Sequence, residues 1–153
     1  MDEIDLRILD CLQGDASLSS AAIAERVGLS TTPCWRRIQN LEKSGVIRRQ
    51  VALLDREKLN LGVTVFVAIR TREHNAEWLD RFAAAVDGFS EVAEFYRMSG
   101  DIDYLLRVVV PDIAAYDSFY KRLIASIELH DVSSSFAMEE IKFTTALPLH
   151  YAR

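Results

Sequence analysis

Arg36, Gln39 and Asn40 fall within five positions of one another, and these side chains can make paired hydrogen bonds to base edges in the major groove of a DNA duplex. Thr31, Thr32 and Lys43 beside them suit phosphate oxygens. Trp35 and Arg37 flank the group, and Arg48 and Arg49 follow it at a distance that could reach neighbouring phosphates. Together they form a candidate duplex-facing set. The bland alternative is a solvated amphipathic helix.

Other constellations carry less chemistry. Asp101 and Asp103 could suggest a metal, but a calcium loop needs more oxygen ligands and a terminal Glu. Ser118-Phe119-Tyr120-Lys121 fits a nucleophile pattern without its companion motifs. His130, Asp131 and Ser133 are neighbours in sequence, whereas a triad is defined by geometry. No glycine-rich phosphate loop is present. The sequence therefore offers no acid, base and nucleophile set, and no catalysis and no cofactor are expected.

The elements that would position the duplex-facing set can be read from periodicity. From Asp2 the apolar residues Ile4, Ile8, Cys11 and Leu12 recur at helical spacing, and Gly14 and Asp15 end the run. Ser19 can cap a second helix carrying Ile23 and Val27, with Gly28 at its end. A third helix is predicted from Thr31 to Ser44, with Pro33 tolerated in its first turn and Gly45 as its stop. Cys34, Ile38 and Leu41 would face the first two helices, and the opposite polar face holds no acid. Short helices joined by a glycine turn suggest a helix-turn-helix. Val46 to Gln50 reads as a strand beginning a small wing.

Beyond a charged connection at residues 51–61 the period changes to two. Val63, Val65, Val67 and Ile69 alternate with Thr64, Phe66, Ala68 and Arg70. A helix from Asn75 to Asp87 follows, then strands at Glu91–Ser99 and Asp103–Val110 joined at Gly100-Asp101-Ile102. A second amphipathic helix carries Ile113, Tyr116, Tyr120, Leu123 and Ile127, and a last strand is expected from Val132 to Thr145. Strand, helix, strand, strand, helix, strand is the ferredoxin-like order in an α+β fold. Its open face, with Phe, Val and Met available, should pair with another copy. The expected domains are 1–50, a linker at 51–61, and 62–153.

Composition fits this plan. The 153 residues are 50% hydrophobic and 27% charged, the balance of a globular protein and not of a disordered tail. The net charge of −5 argues against nucleic acid only as a single number. Residues 1–29 carry −4, residues 30–60 carry +4 and residues 61–153 carry −5, so a basic stripe follows an acidic start, and an acidic chain can still present a footprint to phosphates. No apolar run approaches the ~18 residues of a membrane span. Met1-Asp2-Glu3 lacks the basic start of a signal peptide, so a cytoplasmic chain without membrane contact is expected. Cys11 and Cys34 form no CxxC and read as reduced core residues.

The sequence resembles the Lrp/AsnC (leucine-responsive, or feast/famine) transcriptional regulators. The resemblance rests on Ile4-Asp5-Leu6-Arg7-Ile8-Leu9, on Val27 to Ile38 with Thr32-Pro33-Cys34-Trp35-Arg36-Arg37 inside it, and on Leu41-Glu42-Lys43-Ser44-Gly45-Val46-Ile47. It continues in Ser99-Gly100-Asp101-Ile102-Asp103-Tyr104-Leu105-Leu106 and in Met138-Glu139-Glu140-Ile141-Lys142. It implies a winged helix-turn-helix followed by a ferredoxin-like ligand-sensing domain that dimerises through its sheet and assembles dimers into octamers. It also implies double-stranded DNA as a partner and an amino-acid effector, with leucine, methionine or another apolar amino acid as candidates. The effector would sit between dimers at Tyr96, Gly100, Asp101, Asp103, Ser133, Ser134 and Ser135. There Asp103 would meet an ammonium group and the Gly100 turn a carboxylate. An ordinary hairpin turn is the alternative for Gly100 and Asp101, and a core or interface role for Tyr96. The rival for the whole chain is a small-molecule-sensing module that has lost DNA binding.

Overall fold

The computed structural model describes residues 1–152 and forms two compact units, Met1–Leu53 with the segment from Lys142, and Leu54–Ile141. The first unit holds α1 (Glu3–Gly14), α2 (Ser20–Val27) and α3 (Thr31–Lys43). Each start and stop follows from local chemistry. Asp2 caps α1 by accepting from the Asp5 amide, and Asp5 returns the bond to the Asp2 amide, a reciprocal capping box. Ser19 caps α2 through the Ala22 amide. Gly28 ends α2 at φ 75°, a left-handed conformation that a side chain would oppose, and this lets the chain turn directly into α3. The three helices meet on Ile8, Ile23, Ala24, Val27, Cys34, Ile38 and Leu41. Cys34 is fully buried and unpaired; burial pushes its thiol upward, which leaves it an inert core residue.

One expectation at the end of this unit needs correction. Val46 to Gln50 is irregular and not a strand, because a strand needs a partner for its backbone hydrogen bonds and among the described residues no strand pairs with it. The segment from Lys142, expected as the end of the second domain, groups with the helices in this structure. Gln13 joins them, donating to the Leu147 carbonyl at 3.2 Å and accepting from the Leu147 amide at 2.9 Å.

The second unit holds β1 (Val63–Arg70), α4 (Ala76–Asp87), β2 (Val92–Arg97), β3 (Tyr104–Val110), α5 (Ile113–Ser126) and β4 (Asp131–Phe136). The strands form one antiparallel sheet in the order β2-β3-β1-β4, which is the ferredoxin-like topology the spacing predicts. Val65, Val67 and Ile69 of β1 and Tyr104, Leu106, Val108 and Val110 of β3 are buried with Trp78, Phe82 and Val86 of α4 and Tyr116, Phe119 and Leu123 of α5. Their alternate neighbours, Phe66, Ala68, Leu105, Arg107, Val109 and Tyr96, lie on the opposite face, where Phe66 and Tyr96 are exposed.

β4 stops at Phe136 instead of running to Thr145. It pairs with β1 from Arg70↔Asp131 to Val65↔Phe136, and the last bond is donated by Ala137 to Thr64. β1 begins only one residue earlier, so nothing remains to pair with. The connection at residues 55–61 is a turn, closed by Leu61 donating to the Arg56 carbonyl and by Asn60 at φ 56°. Arg56 from this turn donates to the Thr64 hydroxyl and to Glu140 at 3.0 Å.

Candidate nucleic-acid interface and effector site

The duplex-facing set separates into groups once α3 is built. Thr31, Thr32, Trp35, Arg36, Asn40 and Lys43 are exposed, on the sides of the helix away from the buried Cys34, Ile38 and Leu41. Among the described residues Arg36 and Lys43 have no ion-pair partner, so their charge is available to an external anion. The N-cap Ser30 makes no side-chain cap bond. Pro33 carries no amide and Cys34 donates to the Ser30 carbonyl, so among the described residues the first turn leaves the Thr31 and Thr32 amides to meet a phosphate. Arg48 and Arg49 are exposed on the irregular segment after α3 and are likewise without ion-pair partners among the described residues.

Two members of the set behave differently. The Gln39 amide donates to Glu42 at 2.9 Å, so an acid borders the face that sequence reading left acid-free. The helical projection explains it: Glu42 sits on the flank beside Trp35, about 60° from Gln39. Arg37 is turned toward α1. Its Nη1 reaches Asp2 at 2.8 and 2.9 Å and Asp5 at 2.7 Å. The cause is local charge, because two carboxylates already fixed by the capping box lie beside its flank of α3. Asp2 is held below the ordinary carboxylate range, first by the Asp5 backbone amide and then by Arg37. Arg37, expected as a DNA contact on the flank, is thus engaged by α1 while its side chain stays 33% exposed.

The expected effector residues are dispersed within one chain. Gly100 adopts φ 110° in the β2–β3 turn, a conformation that favours glycine. The turn is tied to the end of β1: Met98 donates to the Asp103 carbonyl, Asp103 to the Ile69 carbonyl, and the Thr71 amide to Asp103 Oδ2 at 2.8 Å. Arg70 Nε donates to the Asp101 carbonyl at 2.7 Å, and its Nη1 lies 3.8 Å from Asp131 at the start of β4. Arg70 therefore links the turn to β4, a role that sequence reading missed. The available signal was an alternating apolar strand ending in Arg beside two acidic segments.

Asp103 also lines a cavity of about 270 Å³ with His74, Asn75, Ala76, Leu79, Arg97, Met98 and Tyr104. Gly100, Asp101 and the serines are not part of that lining. The three serines split by strand parity. Ser133 and Ser135 lie opposite Ala68 and Phe66 on the open face. Ser134 lies opposite Val67 on the helix face, where its hydroxyl is hydrogen-bonded to the Tyr116 phenol. Ser134 is therefore taken up in the packing of α5 on β4, contrary to its expected role. Tyr96 is half exposed on the open face.

A helix-turn-helix presenting unpaired cations, carried on the same chain as a ferredoxin-like domain, defines a DNA-binding regulator with an appended sensing domain. Comparison with known families makes the class specific. Residues 64–147 match the Lrp/AsnC ligand-binding domain and residues 1–48 a winged helix-turn-helix DNA-binding domain. The chain belongs to the Lrp/AsnC family: it is a DNA-binding transcriptional regulator and not an enzyme. It is 53% identical over 150 residues to the DNA-binding transcriptional activator DecR of Escherichia coli, covering 97% of this chain and 99% of that one. The crystal structure of an AsnC family regulator from Agrobacterium tumefaciens matches with TM-score 0.97 and 67% identity over all of both chains. A regulator from Neisseria meningitidis, solved as an L-methionine complex, matches with TM-score 0.93 and 37% identity over 97% of each chain. Among the described residues no helix is long and apolar enough to cross a membrane.

Proposed function

We propose that the chain binds operator DNA through the outward side of α3. Arg36 and Asn40 read base edges, and Thr31, Thr32, Lys43, Arg48 and Arg49 hold phosphates. The observation that carries this reading is the unpaired, exposed state of Arg36 and Lys43 opposite a fully apolar inner side. Dimerisation through the open sheet face would place two α3 helices against successive major grooves, so a pseudo-palindromic site is expected with half-sites about one helical turn, or a multiple, apart. Exposed Phe66 and Tyr96 on that face support pairing with a second copy.

The effector in this reading is an apolar amino acid, leucine or methionine, held between dimers in a tetramer of dimers in the cytoplasm. The dispersal of Tyr96, Asp103, Ser133 and Ser135 over different faces of one chain supports a site completed by a second copy. Asp103 Oδ2 is engaged by Thr71, while Oδ1 makes no hydrogen bond among the described residues and can take the ammonium group. The complex with L-methionine in the Neisseria relative supports an effector of this class.

The test is a mobility-shift titration on the protein's own upstream DNA against random competitor, with and without leucine and methionine, alongside light scattering. Preferential binding that shifts with one amino acid is the expected result. No preference at low ionic strength would favour a sensing module without DNA binding. Asp103→Asn keeps an acceptor for the Thr71 amide but removes the charge. It should abolish the effector response and leave DNA binding intact; an unchanged response would remove Asp103 from the site.

A further inference from the structure

We propose that Arg37 is a positioning residue for DNA recognition: by joining α3 to the Asp2–Asp5 capping box it sets the roll of α3 and so the operator preference, without itself touching DNA. The inference rests on the reading of α3 as the duplex-facing helix.

The seating of α3 leaves its roll weakly fixed. Its buried contacts are Cys34, Ile38 and Leu41, which project within an arc of about 60°. Trp35 bounds one flank and is 51% exposed, so it packs too little to stop a rotation. Arg37 bounds the other flank, and its Nη1 lies within 2.9 Å of three carboxylate oxygens. Those oxygens are firm anchors, because Asp2 and Asp5 are held to each other's backbone amides at 2.9 and 3.0 Å.

Geometry turns this into specificity. A side chain tip rides about 5–6 Å from the helix axis, so a roll of about 10° displaces it by about 1 Å. Hydrogen bonds to base edges do not survive such a shift, whereas contacts to phosphates, governed by charge, largely do. Loss of the anchor should therefore remove discrimination and spare non-specific affinity.

The experiment uses the full chain and two duplexes of equal length, one selected by the wild-type protein from a random pool and one with the same bases shuffled. Arg37→Ala should lower the selected-to-shuffled affinity ratio roughly tenfold, the discrimination of about one base pair, with the salt dependence of binding unchanged. Asp2→Asn with Asp5→Asn keeps an acceptor oxygen at the N-cap and at the third helical position while removing the charges that hold Arg37, and should lower the ratio in the same direction. Adding Arg37→Ala to that pair should lower it no further, and Arg37→Lys should restore part of it. Circular dichroism confirms that each variant is folded, and the Asp pair carries the test if Arg37→Ala is not.

Two results would overturn the inference while leaving α3 as the reading helix. One is equal weakening on both duplexes with a salt slope reduced by about one unit, the mark of a phosphate contact. The other is an unchanged ratio in folded variants, the mark of a purely structural ion pair. A wild-type protein that selects no duplex would remove the reading of α3 and the role of Arg37 together.

Discussion

The helical unit and the sheet unit use different side chains for the same tasks. The helical core is built from Ile, Val, Leu, Ala and Cys, with no ring among its buried residues, and small side chains let three short helices approach closely. The sheet core buries Trp78, Phe82, Tyr104, Tyr116 and Phe119. Phe82 alone packs its ring at centroid distances of 5.0, 5.1 and 5.2 Å from Trp78, Phe95 and Tyr104. Charges follow a second contrast. In the sheet unit Arg56, Arg107 and Arg122 meet Glu140, Glu94 and Glu91. In the helical unit Arg36, Lys43, Arg48 and Arg49 have no such partner among the described residues. The sheet unit pairs these arginines with its own acids, and the helical unit leaves these four cations to act outward.

The strongest way to break this comparison is to damage one core and watch the other. Each unit holds one of the two tryptophans: Trp35 is half exposed on α3, and Trp78 is 2% exposed on the inner side of α4. Phe82→Ala should cost about 3–5 kcal/mol. Fluorescence in single-tryptophan variants, read through Trp78, should show an earlier transition, while the Trp35 signal keeps its own midpoint. Coincident shifts in both signals would mean that the two cores are not independent.

A smaller effect sharpens the contrast in charge. Arg36→Ala should lose about 1–3 kcal/mol of discrimination at one base pair of the preferred duplex. Arg48→Ala should weaken preferred and random duplexes alike and lower the salt slope by about one unit. The check is a set of binding isotherms at several salt concentrations. Identical behaviour of the two variants would erase the division between base reader and phosphate holder. Substituting Arg107, already paired with Glu94 at 3.2 Å, should leave the slope unchanged.

What could be read in the sequence follows the range over which each signal acts. Ser19, Gly28 and Gly45 mark helix ends through bonds a few residues long, and they stand where local chemistry puts them. The alternation from Val63 to Arg70 fixed which side chains of β1 point inward, because a strand's period is two. The same parity splits Ser133 and Ser135 from Ser134, but only after β4 is registered on β1, which a stretch of three serines does not specify. The misreadings are longer in range. Arg37 meets acids more than thirty positions away, and Gln13 meets Leu147 across 134 positions. The ends of β4 and the missing strand at Val46–Gln50 depend on whether a partner segment is present, which no property of the segment itself encodes. The candidate interface on α3 was therefore largely legible, whereas the dispersed effector residues were not.

The smallest expected effect concerns acid, and it returns to the contrast between units. Asp2 has its folded value lowered from 3.8, first by the Asp5 backbone amide and then by Arg37, against a small opposing effect of burial. A depressed carboxyl stabilises the folded state at pH above its unfolded value, and this contribution is lost as pH falls through the folded value. The helical unit should therefore lose stability as pH drops below about 4, and the sheet unit has an acid limb of its own, because Glu91, against its burial, is lowered by Arg122. Asp2→Asn, which cannot ionise but still caps α1, should flatten the dependence of the Trp35 midpoint. At the opposite limb, burial raises Tyr116 above its usual 10, against the bond from Ser134. That contribution is complete below the unfolded value and is lost as pH climbs through the folded one, so alkali should move the Trp78 midpoint. Tyr116→Phe removes the ionisation and should flatten that limb alone. A Trp35 acid limb left unchanged by Asp2→Asn, or a Trp78 alkaline limb left unchanged by Tyr116→Phe, would show that the capping box or the Tyr116–Ser134 bond does not govern the pH dependence of its unit.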